Sequence, residues 1–257
     1  MATELSESAK FYSAILNPAN ATWADDTTKS LIDDLITLDV EQVRPLLLAI
    51  VKRFNNTEIR KSLRNLVSWT VRFLIYGGLG GGTLERSYSL RAKDIWDGKI
   101  KTAQALFDDI KSILPQDVEF GSAFSVARVS KQRLARFYFR ALEMEENGGD
   151  PCLVPNANSD TVNLEHVLPE NPGANWPSVK PEEAKAYYKR IGNLTLLSSP
   201  INSTIGNSGF AAKQPFLQAS EFKLTSESAA QTTWGIAEID TRQKRLSALA
   251  VKTWPLN

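Results

Sequence analysis

Residues 162–169 read VNLEHVLP and contain the only histidine of the 257-residue chain, His166. An acidic residue, Glu165, directly precedes the histidine, and Pro169 ends the segment. The apolar residues around the pair predict a short strand, in which neighbouring side chains point to opposite faces. Glu165 and His166 can therefore serve one site only at a strand end, where the backbone twists. Because a lone histidine is more often structural or merely exposed than catalytic, its role depends on what accompanies it.

Two further polar pieces follow this strand along the chain. Residues 190–197 read RIGNLTLL, residues 202–210 read NSTIGNSGF, and Lys213 lies just beyond them. Asn193 and Asn202 mean little separately, because asparagine is a common turn and cap residue. The ordered set of acid, histidine, Gly-Asn-Leu, asparagine and lysine is far more specific than any of its members.

Residues 161–215 resemble an HNH-type nuclease module, the DUF1524 domain. Its signature resembles Glu-His-x-x-Pro, Gly-Asn-Leu-x-Leu-Leu, Asn and Phe-x-x-Lys, which this chain supplies at 165–169, 192–197, 202 and 210–213. The similarity continues more loosely through Trp234, Arg242 and residues 254–255. By pattern alone, for example at residues 136–143, the first half resembles the segment that precedes this module in DUF262–DUF1524 proteins. Those are the GmrSD-like modification-dependent restriction enzymes and the phosphorothioation-linked defence nucleases.

The resemblance implies phosphodiester hydrolysis with one divalent metal ion, Mg²⁺ or Mn²⁺. His166 is the expected general base, since an unperturbed histidine has a pKa of about 6.5. Asn193 would hold the loop and orient His166 through hydrogen bonds. Glu165 and Asn202 would offer the oxygen ligands that these ions prefer, although Glu165 would also be suited to bind through water or merely to orient His166. Lys213 is expected either to contact a phosphate or to be a solvated surface charge.

The fold class predicted from the pattern is α+β and mostly helical. Apolar residues recur at helical spacing through roughly the first 145 residues, and we expect an N-terminal helical bundle at residues 1–147. A Gly-, Pro- and Asn-containing stretch then marks a boundary. Residues 148–257 are expected to form a ββα-metal, HNH-like nuclease module, with strands at 161–166 and 193–197 and a helix at 180–190 between them.

Two further features of the sequence are a glycine run and a basic helix face. The glycine run at residues 77–82 lacks the lysine of a phosphate-binding loop and is predicted to be a flexible connection. A helix predicted at residues 131–146 carries Arg133, Arg136 and Arg140 on its outer face. These arginines are either a solvated helix face or a stripe that contacts nucleic-acid phosphates.

Composition excludes several classes of protein. Thirty Lys and Arg against 29 Asp and Glu leave a net charge of +1, so DNA binding must depend on local patches. The single cysteine, Cys152, excludes an intramolecular disulfide and a CxxC zinc site. No apolar run approaches the roughly 18–20 residues that span a bilayer, so we expect a cytoplasmic protein with no membrane partner.

The resemblance implies a DNA endonuclease of a bacterial anti-phage restriction system. One such site cuts one strand at a time, so we expect nicking, with double-strand breaks left to a homodimer or to two successive events. The DUF262-like, ParB-type NTPase domain of such proteins has no counterpart in this sequence, and we expect the chain to be the C-terminal part of a longer protein. The alternatives are a catalytically silent DNA-binding or regulatory module that positions this absent domain and, less favoured, an RNA-directed nuclease.

Overall fold

The computed structural model describes residues 2–20, 23–77, 81–150 and 155–257. They form two compact units, Met1–Asp117 with Trp254–Asn257, and Val118–Thr253. Helices dominate, and a two-stranded sheet is the β component, which agrees with the α+β prediction. Within the described part of the chain, no helix has both the length and the apolar character that crossing a membrane demands. Cys152 and the middle of the glycine run, 78–80, lie outside the described residues.

The first unit is a set of helices that pack α2 on α4, α3 on α5 and α4 on α6. Side-chain caps begin several of them: Asn55, for example, accepts a hydrogen bond from the Glu58 amide at 3.0 Å at the start of α4. Asp39, in the left-handed conformation with φ 59°, ends α2, and α3 begins at Arg44. The helices are α1 Ala2–Leu16, α2 Asp26–Leu38, α3 Arg44–Arg53, α4 Asn56–Tyr76, α5 Gly81–Trp96 and α6 Ala103–Ile110.

The second unit surrounds the small sheet with helices. The strands β1 and β2 pair antiparallel along their whole length, with Val162 opposite Ser198 and His166 opposite Leu194. Helix α9 lies between the two strands in the chain, and helix α10 follows β2 directly. The elements are α7 Asp117–Phe124, α8 Gln132–Glu146, β1 Val162–His166, α9 Pro181–Tyr187, β2 Leu194–Ser198, α10 Ser199–Ile205, α11 Phe210–Gln218, α12 Lys223–Ser228 and α13 Ile236–Thr253.

Helix α8 belongs to this second unit, although the sequence placed it in the N-terminal helical domain. The sequence set the boundary after Asn147, whereas the compact units divide between Asp117 and Val118. The reason is packing: α8 lies against β1, β2 and α13. Its buried Glu143 accepts a hydrogen bond from the Leu224 amide at 3.0 Å and so holds the start of α12. A composition change between elements does not reveal such contacts.

The short turn before β2 lies directly against α13. Arg242 on α13 donates from Nη1 to the carbonyl oxygens of Gly192 at 2.8 Å and Leu194 at 2.7 Å. Gln243 Oε1 accepts from the Gly192 amide at 3.2 Å. A Cβ atom at Gly192 would stand 2.2 Å from the carbonyl oxygen of Ile239. Glycine is therefore required here by the close approach of two backbones.

We expect Gly192→Ala to lower the free energy of unfolding of the second unit by about 3 kcal/mol, the upper end of the usual cost of overpacking. The added methyl group meets backbone, so α13 must move away from the turn and lengthen the Arg242 hydrogen bonds. The measurement is urea unfolding. The matched control is Gly121→Ala in α7, where a Cβ would meet Val251 Cγ2 at an ordinary 3.6 Å. Equal unfolding midpoints for the two variants would contradict the expectation.

Candidate active site

A cavity of about 550 Å³ in the second unit is lined by three residues of the motif, Glu165, His166 and Asn202. Glu165 and His166 are the last two residues of β1, and both open onto it, as expected for neighbours at a strand end. Asn202, from α10, forms another part of the wall. The lining also includes Glu170, Tyr188 and Lys189. The strand, the helix and the turn after α9 thus bring together residues that are distant in the sequence.

His166 is half-buried, and its ring centroid lies 5.7 Å from that of Tyr188 with the planes inclined at 37°. Burial lowers the pKa of His166 to about 4, and the positive charges of Lys213 and Lys189 act in the same direction. The carboxylate of Glu170 opposes them weakly. Near neutral pH the imidazole is therefore uncharged and has a ring nitrogen that can accept a proton.

Glu165, in the cavity wall, forms a buried ion pair with Lys213. Their residues are 5% and 1% exposed, and Lys213 Nζ lies 2.5 Å from Glu165 Oε1. The same ammonium donates to the backbone carbonyl of His166 at 3.0 Å. Burial raises the pKa of the Glu165 carboxyl, while the charge of Lys213 lowers it. From the sequence, we expected Lys213 either to contact a phosphate or to be a solvated surface charge. In the structure, its ammonium group is instead enclosed with the carboxylate of Glu165.

Asn193 is fully buried, and its side-chain amide makes four hydrogen bonds. Nδ2 donates to the carbonyls of Leu168 at 2.8 Å and Tyr188 at 3.1 Å. Oδ1 accepts from the Leu168 amide at 2.8 Å and from Trp234 Nε1 at 3.0 Å. Since an amide has two donors and two acceptor positions, its capacity is used. Asn193 therefore holds the loop after His166, as the sequence expected, but these bonds reach backbone groups and the Trp234 indole rather than the imidazole.

Asn202 is the second residue that the sequence assigned to a metal ion. Its Nδ2 donates to the carbonyl of Leu164 at 3.0 Å, which fixes the amide and leaves Oδ1 as the group suited to bind a cation. The amide oxygen of Asn202 and the carboxylate of Glu165 thus belong to residues that line the same cavity. The described residues contain no group of three or more His, Cys, Asp or Glu side chains that could hold a metal. A carboxylate and an amide oxygen are donor types that Mg²⁺ or Mn²⁺ accepts together with water and substrate phosphate.

The three arginines of α8 occupy different environments. Arg136 and Arg140 are half-buried, and they donate to the carbonyls of Ala157 and, at 2.7 Å, Pro155. They hold the following loop against α8, which is a structural role. Arg133 is exposed, next to the cavity-lining Gln132. The interpretation of the three as a phosphate-contacting stripe stays a prediction, and in Arg136 and Arg140 these hydrogen bonds to the following loop already engage part of each guanidinium group.

Lys189 is a residue of the cavity wall that the sequence pattern did not single out. Trp176, Tyr187 and Tyr188 lie between the motif pieces, and from the sequence we expected these aromatic residues in the core, with contact to DNA as the alternative. Trp176 is 5% exposed in the core, and Tyr187 packs against the same cluster, whereas Tyr188 lines the cavity. The sequence signal for Tyr188 and Lys189 was their position shortly before the Gly192-Asn193 pair. In the structure, Asn193 donates a hydrogen bond to the Tyr188 carbonyl.

The sequence of the chain was compared with known protein families. Residues 114–249 match the family described as GmrSD restriction endonucleases, C-terminal domain. The matched range covers more than half of the chain and includes β1, β2 and α10 with the residues of the cavity. No curated protein matches the chain.

Proposed function

The chain belongs to the family of GmrSD restriction endonuclease C-terminal domains, and from this premise we propose that it is a metal-dependent DNA endonuclease with His166 as the general base. The observation that carries the proposal is the convergence of His166, Glu165 and Asn202 on one cavity. The order of β1, β2 and α10 around these residues supports their assignment to a ββα-metal, HNH-like module. Mg²⁺ or Mn²⁺ is the proposed cofactor.

Each residue has a distinct task in this mechanism. His166 takes a proton from the attacking water at a ring nitrogen. Glu165 and Asn202 would hold the metal ion, which would supply positive charge for the phosphate and the leaving oxygen. Asn193 does not touch the substrate, because its hydrogen-bonding capacity is used within the protein. It keeps the segments on both sides of the cavity, at Leu168 and Tyr188, in a fixed relation.

The proposal extends to the biological setting. A single cavity of this kind cuts one strand, so nicking is the primary activity, and double-strand breaks need a homodimer or two successive cuts. The family description names restriction endonucleases, which supports a role in defence against foreign DNA in the cytoplasm. We further propose that this chain is the effector part of a longer protein with a DUF262-like N-terminal domain.

Removal of the metal ion tests the core of the proposal. Supercoiled plasmid is incubated with the wild-type chain in Mg²⁺, in Mn²⁺ and in excess EDTA. We expect nicked circles with either ion and none with EDTA, because the two proposed protein ligands, Glu165 and Asn202, do not retain the ion against a chelator. RNA incubated in parallel tests which nucleic acid is the substrate. Cleavage of RNA in preference to DNA would replace DNA in the proposal. Folded protein without activity in either ion would instead favour a silent DNA-binding module.

A further inference from the structure

The cavity contains one cationic side chain among the lining residues that the structure describes, Lys189. A DNA phosphate that approaches His166 brings negative charge towards the carboxylates of Glu165 and Glu170, both in the lining. Lys213 does not face that phosphate, since it is buried in its ion pair with Glu165. Besides the proposed metal ion, Lys189 is therefore the side chain of this lining that can offset the charge directly at the cavity.

The position of Lys189 is defined by contacts on both sides of its backbone. The Val129 amide donates to the Lys189 carbonyl at 2.9 Å. Asn193 Nδ2 donates to the preceding carbonyl, that of Tyr188, at 3.1 Å. The residue that orders the loop after His166 thus also orders the segment that carries the lysine.

The side chain of Lys189 has an aromatic neighbour in place of an acidic one. Its Nζ lies 5.1 Å from the ring centroid of Tyr188, within the range of a cation–π contact. The Tyr188 ring is in turn 5.7 Å from that of His166. Among the residues of known placement, no carboxylate forms an ion pair with Lys189. Tyr188 thus holds the ammonium group close to His166.

We propose that Lys189, held by Tyr188, is the phosphate-binding residue of the cavity, with a DNA phosphate adjacent to the cleaved bond as its ligand. This inference rests on the proposed function. It assigns phosphate binding to a residue outside the Glu-His, Gly-Asn and Phe-x-x-Lys pieces. Tyr188 is a positioning residue in this arrangement, since its ring lies between the lysine and the histidine.

The test is DNA binding measured separately from cleavage. A fluorescent duplex is titrated with His166→Ala protein in Mg²⁺ at several salt concentrations, and anisotropy gives the affinity. Adding Lys189→Ala should weaken binding up to about fivefold, the scale of one exposed charge pair. It should also lower the slope of log affinity against log salt by about 0.9, the loss of one released counterion. Lys189→Arg, which retains the charge, should keep the slope.

The matched control is Lys185→Ala on α9, an exposed lysine four residues away that does not line the cavity. It should leave the salt slope unchanged. If Lys189→Ala has the same slope as Lys185→Ala, or if the chain does not bind DNA, the inference is overturned. Metal-dependent nicking with no effect of Lys189 would overturn the inference alone. A Lys189-dependent salt slope in a chain without nicking activity would support the phosphate site while contradicting the proposed function.

Discussion

Replacing His166 with alanine is expected to reduce the rate of plasmid nicking by about 10²–10⁴-fold, the usual contribution of a positioned general base. The imidazole is the one group of its kind in the chain, and in the cavity it lies beside Glu165 and Tyr188. Removing it leaves the proposed metal ligands Glu165 and Asn202 in place, so binding of DNA and of metal should change far less than the cleavage rate. The measurement is the initial rate of nicked-circle formation at saturating Mn²⁺.

Two controls separate lost chemistry from lost structure. The alanine variant also loses the ring contact with Tyr188, so its thermal unfolding must be compared with that of the wild type. Added imidazole should restore part of the activity, because a small base can enter the space that the side chain leaves. Undiminished nicking by a folded His166→Ala protein would exclude His166 as the base and would require another proton acceptor.

Replacing Lys213 with methionine is expected to lower the free energy of unfolding by about 3–5 kcal/mol, the usual cost of removing one partner of a buried ion pair. The side chains of Lys213 and Glu165 are 1% and 7% exposed, so solvent does not screen the remaining carboxylate. The hydrogen bond to the His166 carbonyl is lost as well. Because Glu165 and His166 both lie at this strand end, nicking should fall together with stability.

A double variant isolates the charge effect from simple loss of packing. Glu165→Gln in the Lys213→Met background removes the unpaired carboxylate and should recover a large part of the stability, since the desolvated charge is gone. It should not recover nicking, because the metal-binding carboxylate is also gone. Urea unfolding of the two single variants and the double variant gives the coupling free energy. If Lys213→Met changes the unfolding free energy by less than about 1 kcal/mol, the pair behaves like an exposed one and its assigned role fails.

Longer elements and the two strands were accessible from local patterns. The strands expected at 161–166 and 193–197 are observed at Val162–His166 and Leu194–Ser198, and the helix expected at 131–146 is observed at Gln132–Glu146. The short helices α10, α11 and α12 were not foreseen. Isolated helices of this length are unstable in water, so tertiary packing rather than propensity decides whether they form.

By itself, the sequence determined the ordered Glu-His, Gly-Asn and Asn motif and hence the family and the candidate site. Only the tertiary structure decided that Lys213 is enclosed with Glu165 and that α8 packs on the sheet. It also decided that Lys189 lines the cavity beside the Tyr188 ring. The physical reason is the range of the interactions. Hydrophobic periodicity, caps and motif spacing depend on residues close in the chain. Burial, pairing of charges and the closeness of Gly192 to α13 depend on segments that only folding brings together.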